Sequence, residues 1–223
     1  MTKSRPLNDD EEFGDLLRDA ALYYTARLLE RGEGAEGMDW RDRASQHLRF
    51  ERLLAHLPPS PGDSLLDVGC GSGELLAFCR ARGWKPEYVG IDVSEEMVAA
   101  CNRRFGAGSA ATTTLAQLIR EGRRFDLVLA SGTFNVRQLT PHDEWRRYFH
   151  HSVTEMFALA RRGAAFNIMS SRVDYRHDHL YYAQVDEMAK LADACGTRDF
   201  VVDHGYPLYE MTVTLFAREA ERR

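Results

Sequence analysis

The segment from Leu65 to Leu76, with the sequence LLDVGCGSGELL, joins a short apolar run to three closely spaced glycines. The run is too short for a helix, and it predicts a buried strand of a parallel sheet over 64–68. Glycines at 69, 71 and 73 let the chain turn sharply and approach a ligand closely. A helix is expected from residue 74 to about 82. This order of strand, glycine turn and helix is typical of a ligand-binding crevice at the carboxyl end of a sheet.

The spacing of the glycines argues against a phosphate-containing ligand. A dinucleotide site needs a third glycine where this chain has Glu74, and no Lys-Ser/Thr pair follows for a Walker-type loop. Asp67 stands at the end of the first strand, where a carboxylate repels pyrophosphate but suits a cationic amino group. A second predicted strand, 87–92, ends at Asp92, which can accept hydrogen bonds from both hydroxyls of a ribose. These residues predict a nucleoside ligand with no phosphates and a positively charged tail.

Three segments in order resemble the successive motifs of class I S-adenosylmethionine-dependent methyltransferases. They are DVGCGSG at 67–73, GIDVSEEM at 90–97 and FDLVLA at 125–130, and the resemblance covers roughly residues 60–218. Glycine turns after strands are common, so one motif alone would be weak evidence. The resemblance rests on the occurrence of all three motifs in order. The resemblance implies S-adenosyl-L-methionine as the cofactor, bound by Asp67, by the glycines Gly69, Gly71 and Gly73, and by Asp92.

The alternation of predicted strands and helices indicates an α/β fold with a doubly wound, Rossmann-like, seven-stranded sheet whose last strand is antiparallel. Helical spacing of apolar residues over 11–31 predicts an N-terminal helical lid. We expect two units, an N-terminal helical cap over 1–57 and a cofactor-binding domain over 58–223. The remaining strands are expected near 109–112, 125–130, 163–169, 200–203 and 208–217.

The amino-acid composition of the chain limits the kinds of ligand and partner that we expect it to bind. The chain has 223 residues, 44% hydrophobic and 28% charged, with a net charge of -5. These values fit an ordinary globular protein and do not favour nucleic acid binding. The four cysteines lack metal-ligand spacing, no signal peptide is apparent and no apolar run could span a membrane. We therefore predict a cytoplasmic enzyme with no metal and no membrane partner, as a monomer or homodimer.

The resemblance also implies residues for each part of the cofactor. Either Gln46 or Arg49 would hold the carboxylate of the methionine moiety, and Val93 and Met97 would pack on the adenine. Many relatives carry an acid after the third strand to accept the adenine amino group, but this chain has TTTLAQ at 112–117. Backbone groups or Gln117 would have to take that role.

The loop after the fourth strand, SGTFNVR at 131–137, leaves the sheet directly over the site. We expect Ser131 and Phe134 to contact the cofactor and Asn135 to act in catalysis, because an amide in a crevice needs a polar partner. A second loop over 170–182 is dense in aromatic and ionisable residues, as substrate loops of α/β proteins often are. The first candidates for a general base in this loop are His177 and His179, and the next are Asp174 and Tyr175.

The predicted function is transfer of a methyl group to oxygen or nitrogen of a small molecule, by in-line displacement, as in secondary metabolism. No separate substrate domain fits in the chain, so the pocket should be small and enclosed. Two alternatives stay open at this point. The enzyme could instead be a lyase that cyclises the cofactor to azetidine-2-carboxylate and methylthioadenosine, or the chain could be a non-catalytic binding protein of the same fold.

Overall fold

The computed structural model of the chain describes residues 12–32 and 42–217, so parts of the predicted cap over 1–57 lie outside the described residues. Within these ranges, seven strands form one sheet in the order β3-β2-β1-β4-β5-β7-β6. Strand β7 runs antiparallel to both β5 and β6, and the other pairs are parallel. The predicted fold class is confirmed. The strands are β1 Ser64–Val68, β2 Glu87–Asp92, β3 Ala110–Thr112, β4 Phe125–Ala130, β5 Ala160–Met169, β6 Phe200–Asp203 and β7 Glu210–Phe216.

The described residues form seven helices, including those predicted over 11–31 and from 74 to about 82. The short helix at Leu115–Arg120 was not predicted, and Thr114 caps it by accepting a hydrogen bond from the Gln117 amide at 3.3 Å. Ser94 caps the helix after β2 by accepting a hydrogen bond from the Met97 amide at 3.2 Å. The helices are α1 Gly14–Arg31, α2 Arg43–Ala55, α3 Glu74–Ala81, α4 Glu95–Phe105, α5 Leu115–Arg120, α6 His142–Leu159 and α7 Val185–Ala194.

Two apolar layers hold the helices on opposite faces of the sheet. Helices α2 and α3 contribute Phe50, Leu53 and Phe78 to one layer. Helix α6 contributes Phe149 and Val153 to the other, both with no exposed surface. Burying an aliphatic or aromatic side chain of this size stabilises the fold by about 1.5–3 kcal/mol. The sheet is therefore a rigid support for the loops at its carboxyl edge.

The parallel register brings several strand ends to one edge of the sheet. Val68 at the end of β1 pairs with Ile91 of β2 on one side and with Ala130 of β4 on the other. The loops that follow these three strands therefore leave the sheet side by side. This edge is where the predicted ligand-binding residues should meet.

Helix α1 lies across this edge of the sheet. Just before it, the Phe13 ring packs on Tyr148 of α6 with ring centroids 5.6 Å apart. Near its other end, Leu28 joins a cluster with Met97 and Ala100 of α4. The Thr25 hydroxyl also lies 2.8 Å from the Ser94 hydroxyl. Helix α1 thus occupies the position expected of a lid.

None of the helices in the described ranges has the length and apolar composition needed to cross a membrane.

A buried carboxylate ties α6 to α7. The Glu187 Oε1 atom accepts hydrogen bonds from Arg146 Nε and from His150 Nε2, each at 2.6 Å, and from the Tyr181 hydroxyl at 3.2 Å. Burial alone would raise the pKa of Glu187, but the hydrogen bonds from His150 and Arg146 outweigh it and lower the pKa to about 2. The network thereby anchors the loop that carries Tyr181 over the sheet.

Replacing Glu187 with glutamine should lower the free energy of unfolding by about 1–3 kcal/mol at neutral pH, because charge-assisted hydrogen bonds are lost. The folded pKa lies below the usual value of 4.5, so this contribution is complete above that pH and is lost as the pH falls towards about 2. Urea denaturation at several pH values measures both effects. Asp186→Asn, at the exposed neighbouring position, is the matched control. A Glu187→Gln deficit that stayed constant down to pH 2 would contradict this assignment.

Candidate functional site

A cavity of about 510 Å³ lies at the carboxyl ends of β1, β2 and β4, beneath α1. The sheet edge, α1, α2 and α6 all contribute side chains to its wall. Of the predicted site residues, the wall includes Gln46, Arg49, Asp67, Gly69, Gly71, Asp92, Val93, Met97, Ser131 and Asn135. The volume is within the range of pockets that enclose small molecules. The structure therefore brings most of the predicted residues to one cavity.

The glycine loop after β1 depends on glycine at Gly69 and Gly73. Both have left-handed backbone angles, with φ of +69° and +84°. A Cβ atom on Gly69 would lie 2.7 Å from the Thr133 hydroxyl, and one on Gly73 would lie 2.6 Å from the Phe105 ring. Any side chain would therefore meet both strain and overlap. Gly73 itself is not part of the cavity wall, so its contribution is to the turn into α3.

Two carboxylates face the cavity, the buried Asp67 and the partly exposed Asp92. Asp92 accepts hydrogen bonds from the Gly71 amide at 2.9 Å and from the Ser94 amide at 3.0 Å. Asp67 accepts one from the Tyr88 hydroxyl at 2.8 Å. Burial raises the pKa of Asp67 to about 7 and also raises the pKa of Asp92. A ligand that brings hydroxyl groups and a positive charge would compensate both carboxylates, whereas a phosphate would be repelled.

A buried ion pair joins α2 to β7 at the other end of the cavity. Arg49 donates to both Glu210 oxygens, with Nε at 2.7 Å and Nη2 at 2.8 Å. Asn135 bridges from the loop after β4, because its Nδ2 lies 3.4 Å from Glu210 Oε1 and its Oδ1 accepts from the Met169 amide at 2.9 Å. The charge of Arg49 is therefore balanced within the protein. The pair uses Nε and Nη2 of Arg49, and the residue also lines the cavity, so its expected role toward a ligand carboxylate stays a prediction.

Gln46, the alternative to Arg49, is placed differently. Its side chain is 1% exposed and lines the cavity, and its Oε1 atom has no hydrogen-bond partner among the described residues. Leaving a buried amide unsatisfied costs about 1–3 kcal/mol. A half-turn of the amide presents its NH₂ group instead of its oxygen, so Gln46 can meet either an acceptor or a donor of a ligand. Gln46 and Arg49 both line the cavity, so the choice between them for a ligand carboxylate stays a prediction.

Phe134 does not contact the cavity. It has no exposed surface and packs on Phe149 and Phe166 in the core, with ring centroids 5.2 and 6.2 Å away. Its carbonyl oxygen accepts a hydrogen bond from Trp145 Nε1 at 2.9 Å. This placement corrects the expected cofactor contact, because the loop turns the ring into the sheet-facing core. The neighbouring Asn135 turns to the cavity instead.

The predicted catalytic residues Tyr175 and His177 lie on the outer surface of their loop. Tyr175 is 60% exposed and its ring contacts those of Tyr209 and His177, with centroids 5.9 and 5.3 Å away. Neither residue lines the cavity, which corrects their expected catalytic role. His179, two residues further on, does line it. Its carbonyl oxygen accepts hydrogen bonds from the amides of Arg137 and Gln138, both at 3.0 Å, which fix the loop there.

Sequence reasoning missed two parts of the wall. One is Glu210 at the start of β7, and the other is a row of polar residues on α6, namely Tyr148, His151, Ser152 and Glu155. Their spacing of three and four residues places the row on one helix face, and this periodicity was a usable signal. Gln117, expected near the adenine, instead hydrogen bonds with Glu121 and Arg120 on the surface. Among residues 12–32 and 42–217, no three potential ligand side chains are grouped to hold a metal ion.

Comparison with known families agrees with this geometry. Residues 65–156 match the family model described as a methyltransferase domain. The Rv1506c protein of Mycobacterium tuberculosis, whose name assigns it to the methyltransferases, is 39% identical over 153 residues, which are 67% of this chain and 90% of that protein. Nocamycin O-methyltransferase of Saccharothrix syringae is 40% identical over 87 residues, 38% of this chain and 29% of the relative.

Solved structures with the same fold include two that hold ligands. The Burkholderia thailandensis 1,6-didemethyltoxoflavin-N1-methyltransferase, with its named substrate and S-adenosylhomocysteine bound, aligns with a TM-score of 0.64 at 20% identity, over 97% of this chain and 94% of that one. Magnesium protoporphyrin IX methyltransferase of Synechocystis PCC 6803, with S-adenosylmethionine bound, has a TM-score of 0.61 at 18% identity, over 97% and 100% of the two chains.

Proposed function

The chain belongs to the class I S-adenosylmethionine-dependent methyltransferases, and we propose that it methylates an oxygen or nitrogen atom of a small-molecule acceptor. The observation that carries the proposal is the cavity of about 510 Å³ under α1, whose volume lies within the range of small-molecule sites. The Burkholderia neighbour, which binds 1,6-didemethyltoxoflavin, supports the same class of acceptor.

The residues present fit the cofactor. Asp92 would accept the ribose hydroxyls, Asp67 would complement the positive charge of the amino acid end, and Gln46 would bind its carboxylate. Val93 and Met97 would pack on the adenine. When bound, S-adenosylmethionine supplies an activated methyl group on a sulfonium centre. The chain itself has to orient the acceptor and exclude water, which together can lower a barrier by about 7–11 kcal/mol.

A general base is needed where the acceptor is a hydroxyl or an ammonium group. His179 is the histidine of the substrate loop that lines the cavity, and a neutral imidazole has a ring nitrogen that can accept a proton. We assign to it the removal of the acceptor proton. Asn135, held by Glu210 and the Met169 amide, is suited to orient the acceptor rather than to exchange protons.

Mass analysis of all small products tests the proposed reaction. The full chain is incubated with S-adenosylmethionine alone, and then with a panel of phenols, amines and hydroxylated heterocycles. We expect no product without an acceptor, and S-adenosylhomocysteine with an equal amount of methylated product when an acceptor is present. Methylthioadenosine formed from the cofactor alone would overturn the proposal in favour of cyclisation. Binding of the cofactor with no turnover across the panel would favour a non-catalytic role.

Replacing His179 with glutamine should lower kcat by about 10²-fold, because general base catalysis contributes about 10²–10⁴-fold. Cofactor affinity should be unchanged. His204→Gln is the matched control, since His204 is an exposed histidine outside the cavity wall. Equal rates in the two variants would show that His179 is not the base.

A further inference from the structure

The loop between β4 and α6 contains a residue with a strained backbone. Gln138 has a φ of +53°, and among residues 12–32 and 42–217 it is the one residue other than glycine with a positive φ. A side chain is strained in this conformation, because its Cβ atom approaches the following carbonyl oxygen. Glycine would adopt the same conformation freely. Such strain persists where the surrounding structure holds the residue in place, so the contacts of Gln138 indicate its role.

The backbone of Gln138 joins its loop to the substrate loop. The amides of Arg137 and Gln138 both donate to the His179 carbonyl oxygen, each at 3.0 Å. Consecutive amides converge on one acceptor in this way at left-handed turns. Close by, the Asn135 carbonyl oxygen accepts from the Tyr181 amide at 2.8 Å. Glycine at position 138 could make the same backbone contacts, so they give no reason for a glutamine there.

The side chain of Gln138 makes a different contact, with the helix α1 in the lid position. Its Nε2 atom donates to the backbone carbonyl oxygen of Asp19 at 3.4 Å. Asp19 lies within α1, and its carbonyl oxygen has a second lone pair beside the one that a helical hydrogen bond uses. This contact needs a long side chain with a donor group. It therefore gives a reason for a strained glutamine at a position where glycine would fit.

Asp19 lies between the two ends at which α1 is fixed. Phe13 packs on α6 at one end, and Leu28 packs on α4 at the other. Between these ends, four residues of α1 line the cavity, namely Leu17, Ala20, Tyr23 and Tyr24. Asp19 itself is on the exposed side of the helix. The side chain of Gln138 thus joins the middle of α1 to the loop after β4.

We propose that Gln138 is a positioning residue that holds the middle of α1 over the cavity and thereby slows release of the cofactor. Movement of α1 away from the cavity must break the hydrogen bond between Gln138 and Asp19. The backbone contacts with the substrate loop do not involve the side chain, so they stay intact. One hydrogen bond corresponds to about a 2–10-fold change in an equilibrium constant. The proposal concerns the lid and the cofactor, so it does not depend on which small molecule is methylated.

Hydrogen exchange of the full chain, measured by mass spectrometry, tests the contact, because amides of α1 exchange faster when the helix opens more often. Three substitutions separate the side chain from the backbone. Gln138→Met keeps the side-chain length without the donor, Gln138→Gly also relieves the strain, and Gln138→Lys keeps a long donor. We expect α1 to exchange about 3–10-fold faster in the Met and Gly variants, and less than twofold faster in the Lys variant.

Release of S-adenosylhomocysteine, followed by stopped-flow fluorescence, should be about 3–10-fold faster in the same two variants. Leu139→Gly is the matched control, because it adds a glycine to the same loop at a side chain that is 98% exposed. It should match the wild-type chain in both measurements. Without ligand, Gln138→Gly should unfold at a temperature no lower than that of Gln138→Met, because both lack the donor and glycine removes the strain.

Three results would overturn the proposal. The first is wild-type exchange of α1 in Gln138→Met, or exchange that is equally faster in β4 and β5, since the latter indicates a general loss of stability. The second is unchanged release of S-adenosylhomocysteine where α1 exchanges faster. The third is a lower unfolding temperature for Gln138→Gly than for Gln138→Met, which would show that the position is not strained. None of these measurements uses a methyl acceptor, so failure of the proposed reaction would leave them unaffected.

Discussion

Replacing Asp92 with alanine is expected to weaken S-adenosylmethionine binding by about 100-fold, or roughly 2.8 kcal/mol. Hydrogen bonds to a charged group contribute about 1.5–3 kcal/mol each, and the ribose would lose its acceptor for two hydroxyls. The same carboxylate also accepts from the amides of Gly71 and Ser94, so its removal frees the glycine loop from the start of α4. Titration calorimetry with S-adenosylhomocysteine measures the change.

Two variants make the Asp92 result interpretable. Asp92→Asn keeps the shape and one acceptor oxygen, so we expect an intermediate loss of affinity. Glu95→Ala removes an exposed carboxylate in the first turn of α4 and should leave affinity unchanged. Thermal unfolding without ligand should show that all three chains fold. If Asp92→Ala bound the cofactor as tightly as Glu95→Ala, the assignment of the ribose to this strand end would be wrong.

The position of Asp67 and Asp92 at the cavity was predictable because it is set by local sequence. Asp67 and Asp92 stand at the ends of apolar runs, and a buried parallel strand delivers its last residues to one edge of the sheet. The glycines next to Asp67 then fix the turn. Each of these features needs only about ten residues of context. The fold class follows from the same alternation of short strands and amphipathic helices along the chain.

Features that depend on distant contacts were not predictable from sequence patterns. Glu210 lies far from Arg49 in sequence. No local sequence pattern predicts that the first residue of a strand pairs with a distant helix. The same limit affected the substrate loop. Tyr175 and His177 were expected at the site, but hydrogen bonds from Arg137 and Gln138 to the His179 carbonyl set the path of the loop and turn the earlier residues outwards. Helix α5 was missed because six residues are too few to show a period.

The Arg49–Glu210 pair should have the largest effect on stability. The two side chains are 11% and 2% exposed and share two short hydrogen bonds. Replacing Glu210 with leucine leaves the guanidinium buried without its counter-charge, which typically costs about 3–5 kcal/mol. We expect that loss in the free energy of unfolding, measured by urea denaturation. Asn135 would also lose its hydrogen bond to Glu210.

A second substitution distinguishes the loss of the charge partner of Arg49 from the loss of side-chain volume at position 210. In the double variant Arg49→Met with Glu210→Leu no charge remains buried, so most of the stability should return. Arg52→Met, which breaks the more exposed pair of α2 with Asp203 on β6, should cost less than about 1 kcal/mol. If Glu210→Leu were as stable as the double variant, Arg49 would not depend on Glu210 for its charge. The arginine could then serve the ligand carboxylate, and the assignment of that carboxylate to Gln46 would have to be abandoned.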